Sequence, residues 1–495
     1  MLTAERAATA ARRNLTAAHG DDNAGVKFCR HTGRIIGTRS APGSPVALPK
    51  NTRQEMSTML KTNAFDAASS GDIPAENLTM IERRRRLLGP AYQLFYKNPV
   101  HLVRGEGVWV YDAAGRRYLD VYNNVPSVGH CHPHVLEALV RQASTLNTHT
   151  RYLHDNVLNF AEKLVSTMPA ELSQVMFTCT GSEANDLALR IAEDFTGGTG
   201  VIVTEFSYHG MTKAIAGLSA SMGPYVKVNG DARVIPAPVH NPANPAAVGN
   251  KFANDIRAAL ADMQRHGIKP AALMIDTFFT SDGGFFDPAG FLQEAIDVVH
   301  DAGALYIADE VQPGYGRSGE HWWGFQRHGV LPDIVSLGKP MGNGHPMAGI
   351  TIQPHILERF GNESSYFNTF GGNTVSSAVG LAVLEVIEQE NLIASVGVAG
   401  KAILDGISAL AQRFPAIGSV RGAGLFVSVD FVTDDGAPDS STALAVVNAL
   451  REEGVLIGAS GPHANILKIR PPLVFTAEHS QILVSALEKV LGKMF

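Results

Sequence analysis

Residues 271–338 contain, in order, AALMID (271–276), FLQEAIDVVHDAG (291–303), ALYIADE (304–310) and DIVSLG (333–338). The first, third and fourth are short apolar runs of strand length, and the second has the three- and four-residue apolar spacing of a helix. Outward from there the alternation continues through VLEALVRQAS (135–144), VMFTC (175–179), NDLALRIAEDF (185–195) and VIVTE (201–205). Strands that alternate with helices predict an α/β fold, a mostly parallel sheet covered by helices on both faces. Ligands of such sheets bind where loops leave the carboxyl ends of the strands, so chemically active residues are expected just after each apolar run.

The flanks read differently. VRGEGVWVYDAAGRRYLDVY (103–122) alternates apolar and polar residues around Asp112-Ala-Ala-Gly115 and predicts a β-hairpin, near which the folded part should begin. After about residue 375, long helical stretches (376–389, 442–454, 481–494) are interleaved with strands such as GLFVSVDFV (424–432). The expected organisation is a poorly ordered extension over 1–75, an N-terminal segment over 76–134, a large domain over 135–374 and a smaller α+β domain over 375–495.

Composition narrows the function. The chain has 495 residues, 45% hydrophobic and 18% charged, with a net charge of -6 and no long like-charge block. This gives no basic stripe for nucleic acid or an anionic membrane, and leaves small molecules as the natural partners. No uninterrupted apolar run reaches the roughly 18 to 20 residues of a membrane span. The opening lacks a secretory apolar stretch, and although Arg-rich and acid-poor like a transit peptide, it shows no continuous amphipathic helix. The expected location is cytoplasmic. Cys29, Cys131 and Cys179 are too few and scattered for a disulfide framework or a Cys-rich zinc site, so no metal is expected.

Four strand exits and one glycine-flanked segment carry residues of interest, each with an ordinary alternative. Gly181 and Ser182 stand at the start of a helix, where free N–H groups and the helix dipole favour a phosphate, although a serine there also serves as a simple cap. Tyr208 can stack on a flat ring or fill the core. Asp309, at the end of a buried run, needs a positive partner, either a structural cation or a protonated ring nitrogen. Gln312 follows three residues later. Lys339, thirty residues after Asp309, sits in Gly338-Lys-Pro-Met-Gly-Asn-Gly344 as a solvated charge or an imine-forming nucleophile. Thr369 adjoins two glycines, as in a turn or a phosphate contact. Taken in order, these features match the needs of a phosphorylated pyridine aldehyde.

IADEVQPGYGRSGEHWWGF (307–325), the Lys339 loop, GSEAND (181–186), YHG (208–210) and NTFGGN (368–373) resemble the class III (subgroup II) aminotransferases of pyridoxal 5'-phosphate fold type I, over residues of about 80 to 495. The resemblance implies pyridoxal phosphate held as a Schiff base on Lys339, with Asp309 opposite the ring nitrogen and Gln312 at the ring oxygen. It further implies that Gly181 and Ser182 bind the phosphate and that Tyr208 lies on the ring. Thr369 would reach the neighbouring subunit's cofactor, which requires a homodimer or a dimer of dimers.

Family members acting on α-amino acids carry an arginine in a segment like IRFAPPL. Here Lys468 occupies its place in ILKIRPP (466–472), with Arg470 two residues on, and both are taken as substrate-binding. Those relatives also carry a glutamate in a segment like EPIQGE, and Ser281 stands at its position. YNNVPSVGHCHP (122–133), LNTHTRYLHDN (146–156), GNGHP (342–346) and NILKIRPPL (465–473) resemble the ethanolamine-phosphate phospho-lyases and bacterial amine transaminases. The stretch PAPVHNPANPAAVGN (236–250) lacks a tyrosine expected of the animal lyases. Transamination from an amine or amino acid to a keto acid such as pyruvate therefore ranks first, and elimination from ethanolamine phosphate second. A binding protein without catalysis ranks last, since binding alone does not call for Lys339. A dinucleotide-binding fold is set aside because no GxGxxG opens the domain.

Overall fold

The computed structural model describes residues 63–68 and 73–495, apart from 224, 240 and 242. Most of the extension read over 1–75, together with Cys29, lies outside the described residues. The described part of it joins the fold. Phe65 N–H donates to Leu94 O at 2.7 Å, and Tyr96 N–H donates to Asn63 O at 3.1 Å. The buried Tyr96 hydroxyl reaches Ile457 O at 3.0 Å, so the folded part begins before residue 103.

The predicted hairpin is one half of a three-stranded meander: β1 (Leu102–Glu106), β2 (Trp109–Asp112) and β3 (Arg117–Asp120). Its turn is fixed by Asp112, whose Oδ1 accepts from Ala114 N and Arg116 N at 3.0 and 2.9 Å. The central sheet takes in β4 (Gln174–Thr178), β5 (Gly200–Thr204), β6 (Ala232–Ile235), β7 (Pro270–Ile275), β8 (Leu305–Asp309), β9 (Ile334–Leu337) and β10 (Ala348–Ile352). Its spatial order is β4-β10-β9-β8-β7-β5-β6. β10 pairs antiparallel with both its neighbours and the other pairs are parallel, so every strand but β10 runs in one direction. The exits of β4, β5, β7, β8 and β9 therefore open on one edge, which is where the fold concentrates its chemistry.

β5, β8, β9 and β10 are buried along their whole length, as strands covered on both faces must be. The helix Gly181–Thr196 packs Ala184, Leu187, Ala188 and Ile191 against Val203, Met274, Ile307 and Ile350 of the sheet. β6 and β10 are strands that the apolar runs did not announce. β6 (ARVI) is an edge strand with an exposed Val234, and β10 (AGITI) is short and follows the Lys339 loop directly.

The C-terminal part adds β11 (Ile417–Ala423), β12 (Phe426–Phe431), β13 (Val455–Leu456), β14 (Gly458–Ser460) and β15 (Ile466–Ile469). β11, β12, β15 and β14 form one antiparallel sheet, while β13 joins β3 in parallel. One helix here, Leu392–Ala411, has the length and mean hydropathy (1.5) of a membrane span, against the expectation that none would. Its Leu392, Val396, Ala399, Ile403, Ile407 and Leu410 form a buried stripe at three- and four-residue spacing, and the helix packs on Ala477–Met494 and β11.

Gly400, on that helix, is a close-approach position. A methyl group there would lie 2.1 Å from Gly424 O, and Gly424 itself adopts φ +52° against Ser318. Gly400→Ala would gain about 1 kcal/mol of helix propensity, but the contact is with backbone, which cannot rotate away, and such overpacking costs about 1–3 kcal/mol or more. The substitution should lower the midpoint of urea unfolding. A midpoint at or above that of the parent would show that the two segments separate freely.

Candidate active site

The strand exits converge on a cavity of about 190 Å³. Its walls include Gly181, Ser182, Tyr208, Asp309, Gln312 and Lys339, six of the residues singled out in the sequence. Asn185, His209, Gly210, Asp276 and Val311 complete it, and none of these five was picked out individually.

Asp309, the last residue of β8, is 5% exposed. Its Oδ2 accepts from His209 Nδ1 at 2.7 Å and from Asn185 Nδ2 at 3.0 Å, and its Oδ1 accepts from Val311 N at 3.1 Å. Burial alone would raise its pKa, but the bond and charge of His209, the charge of Lys339 and the Asn185 amide hold it below the usual value. The carboxylate thus stays ionised. His209 is in turn fixed by its backbone, whose N–H donates to Ser219 Oγ at 2.9 Å. A motif signal was available, since His209 follows Tyr208 directly and Asn185 lies one turn past Gly181 and Ser182, on the phosphate-loop helix.

Lys339 opens a short 3-10 turn after β9, held from the N-terminal segment by Ser127 Oγ donating to Pro340 O at 2.7 Å and by Asn343, whose Nδ2 reaches Gly129 O at 2.9 Å. Its amine makes no hydrogen bond or ion pair among the described residues. Desolvation lowers its pKa, Asp309 opposes that shift, Arg470 adds to it, and the outcome is a value below that of free lysine. Such an amine is more readily neutral and nucleophilic.

At the end of β4, Thr180 caps the helix by accepting from Glu183 N at 3.2 Å, so capping falls to Thr180. The N–H groups of Gly181 and Ser182 are left without partners among the described residues, and both residues line the cavity. Ser182 Oγ accepts from Met211 N at 3.1 Å, which draws the Tyr208 loop onto the helix start. Gly210, at φ +140°, makes this approach possible: a Cβ there would lie 2.6 Å from Ser182 Oγ. Tyr208 is 38% exposed, at the cavity mouth rather than in the core.

Asp276, at the end of β7, is the wall residue that the sequence reading passed over. It accepts from Phe278 N at 2.9 Å and from Thr280 N at 3.2 Å, and also from the Thr280 hydroxyl. Burial, and next the charge of Asp309, raise its pKa. Gln312 donates to Thr280 Oγ1 and accepts from Arg470 Nη1 at 2.8 Å, so one amide hydrogen of Gln312 remains for a ligand. Because an arginine only donates, that contact fixes which end of the amide carries the oxygen.

Lys468 and Arg470, on one face at the end of β15, are both buried and neither lines the cavity directly. Lys468 Nζ donates to Thr280 O at 2.7 Å and lies 5.4 Å from the Phe426 ring. Desolvation and the charge of Arg470 push its pKa well below the usual lysine range. Arg470 reaches the cavity wall through Gln312 and also donates to Asn124 Oδ1 at 3.0 Å. No carboxylate lies within ion-pair distance of it among the described residues. Thr369 is exposed in a bend and does not approach the cavity of its own chain. Exposed Tyr366, Phe367 and Phe370 surround it.

The residues present fit pyridoxal phosphate: unpartnered N–H groups at a helix start for the phosphate, an ionised buried carboxylate for the ring nitrogen, an aromatic side chain at the mouth and an unpaired amine for the aldehyde. Asp309→Asn places an amide where three donors converge, so one of them must lose its acceptor. Turnover should fall by about 10² or more, roughly 3 kcal/mol of barrier, with part of the cofactor absorbance retained. Turnover close to that of the parent would show that another group holds the ring charge.

The family model for aminotransferase class-III matches residues 93–491. A Drosophila melanogaster protein described as alanine–glyoxylate aminotransferase 2-like is 40% identical over 419 residues, 81% of this chain and 84% of that protein. Ethanolamine-phosphate phospho-lyase homolog 1 of Caenorhabditis elegans is 35% identical over 467 residues, 89% of this chain and 100% of that protein. A solved phospholyase from Arthrobacter, in complex with phosphoethanolamine, superposes with a TM-score of 0.81 at 41% identity, covering 83% of this chain and 99% of its own.

Proposed function

The chain belongs to the class III aminotransferase family, fold type I enzymes whose cofactor is pyridoxal phosphate, and on that premise we propose that it eliminates phosphate from ethanolamine phosphate or a close phosphorylated amine. The observation that carries this reading is Arg470, a buried guanidinium whose hydrogen-bond acceptors among the described residues are the uncharged amide oxygens of Asn124 and Gln312. A buried charge without a counter-ion is costly, and a substrate that always brings an anion supplies one. A transaminase that alternates between carboxylated and uncarboxylated substrates must quench such a cation in one half of its cycle. Ser281, at the position of the family's glutamate, offers no carboxylate for that. The order of the two activities read from the motifs is thereby reversed, and likeness to a phospholyase bound to phosphoethanolamine supports the reversal.

Bound in the cavity, pyridoxal phosphate supplies an aldehyde that captures amines and a protonated ring that takes up the electron pair left by a broken C–H bond. Lys339 is the residue that would hold the aldehyde. Once free, its neutral amine would remove the proton from the substrate's nitrogen-bearing carbon. Asp309, fixed by His209 and Asn185, keeps a negative charge opposite the ring nitrogen. Gly181 and Ser182 hold the cofactor's phosphate through backbone N–H groups, Tyr208 covers the ring, and Gln312 offers its remaining hydrogen to the ring oxygen. Arg470 holds the substrate's phosphate and stabilises it as the C–O bond breaks and the electron pair departs with it. Hydrolysis then releases acetaldehyde and ammonia. Transamination shares the proton abstraction and is the second reading, supported by the likeness to the Drosophila protein.

Purified enzyme should release phosphate and acetaldehyde in equal amounts from ethanolamine phosphate, and form alanine from amines plus pyruvate at least about a hundredfold more slowly. Alanine formation without phosphate release would establish the transaminase instead. Borohydride should fix a pyridoxyl group on Lys339, and a label mapped to another lysine removes that assignment.

Thr369, exposed among aromatic side chains, is proposed to complete the cofactor site of a second subunit. Light scattering of the holoenzyme should give a dimer or a multiple of one. A fully active monomer contradicts it.

A further inference from the structure

The phospho-lyase reading requires a place for the substrate's phosphate, and this inference rests on that reading. Two buried donors without partners mark such a place. Asn124 is 3% exposed, and its Oδ1 accepts from Arg470 while its Nδ2 has no partner among the described residues. Arg470 is 9% exposed, and its Nε likewise has none among them. Its Nη1 is taken by Asn124 and Gln312, and its Nη2 donates to no described residue, so the Nε–Nη2 edge of the guanidinium remains free.

The surroundings hold this pair in place without neutralising it. Arg470 N donates to Val121 O at 2.9 Å, tying the end of β15 to the segment after β3. The guanidinium carbon lies 4.6 Å from the centre of the Tyr122 ring, a contact that orients the group and leaves its charge unpaired. Gln312 links it to the cavity that contains Lys339.

The identity of residue 124 is informative. An aspartate has almost the same shape, would accept the same hydrogen bond and would cancel the buried charge. The asparagine withholds that cancellation and keeps its Nδ2 as a further buried donor on the residue that already contacts the guanidinium. Three donors and one positive charge suit a tetrahedral oxyanion, which presents several oxygens at once. We propose that Asn124 and Arg470 together form the subsite for the substrate's phosphate, Asn124 setting the preference for an anion by leaving Arg470 unpaired.

The test is binding of inorganic phosphate to the holoenzyme by isothermal titration, with the cofactor's own phosphate site already filled. Asn124→Asp and Asn124→Ala are compared with the parent, and cofactor absorbance verifies the holo state of each. Asn124→Ala should weaken phosphate binding by roughly tenfold, as expected for one lost hydrogen bond to a charged group, and Asn124→Asp by more, because it also pairs Arg470. Ethanolamine phosphate should compete with phosphate in the parent. Parent-like affinity in both variants, or no phosphate binding by the parent holoenzyme, overturns the subsite. If Asn124→Asp does not retain cofactor, Asn124→Ala decides by the same criterion. Affinity that depends on Asn124 in an enzyme that releases no phosphate from ethanolamine phosphate upholds the subsite and removes the phospho-lyase reading.

Discussion

The site is organised around a negative charge kept where water cannot reach it. Asp309 ends a fully buried strand, and its ionised state depends on donors drawn from three other places: the helix after β4, the loop after β5 and its own following turn. Those donors reach it because β4, β5 and β8 point the same way and release their chains on one edge of the sheet. A reversed strand anywhere among them would send its loop to the opposite edge. The sheet tolerates its antiparallel member, β10, because β10 leads away from the cavity.

Much of this was legible because buried parallel strands have to be short apolar runs, and because ligand-binding residues follow such runs at their carboxyl ends. Tyr208, Asp309, Gln312 and Lys339 each stood directly after one. Asp276 also stands after one, in AALMID, but a lone carboxylate at a strand end looks the same whether it faces a cavity or caps a turn. His209 and Asn185 were in view as parts of motifs, yet their task is to hold Asp309, and a contact across 100 or 124 residues leaves no mark in local pattern. The same limit hid Asn124, whose meaning comes entirely from Arg470, 346 residues away. The strands β6 and β10 went unseen for another reason: four or five residues with one exposed or glycine position carry too little apolar signal.

Lys468 and Arg470 show where spacing informs and where it stops. Residues two apart at a strand end share a face, so the sequence alone pairs them. It does not say how two cations placed together in a low-dielectric interior divide the cost. A lysine can escape it by losing its proton, whereas a guanidinium stays charged at any accessible pH. The structure follows that rule. Lys468 is pressed against Thr280 O and Phe426 with its pKa driven down, by desolvation first and by the charge of Arg470 next.

That division has a consequence for chemistry at Lys339. Desolvation and then the cation nearby lower the pKa of its amine, which leaves more of it in the neutral form that can accept a proton, and Asp309 and Asp276 restrain the effect. An anion arriving at Arg470 would offset part of that positive charge and so raise the basicity of Lys339 at the moment a substrate is present. Removing Arg470 would cost the site in two ways that need not move together, the hold on the anion and the tuning of the base. A buried cation without a carboxylate is a poor arrangement for stability alone, and it makes sense where the missing counter-ion is brought by the molecule on which the enzyme acts.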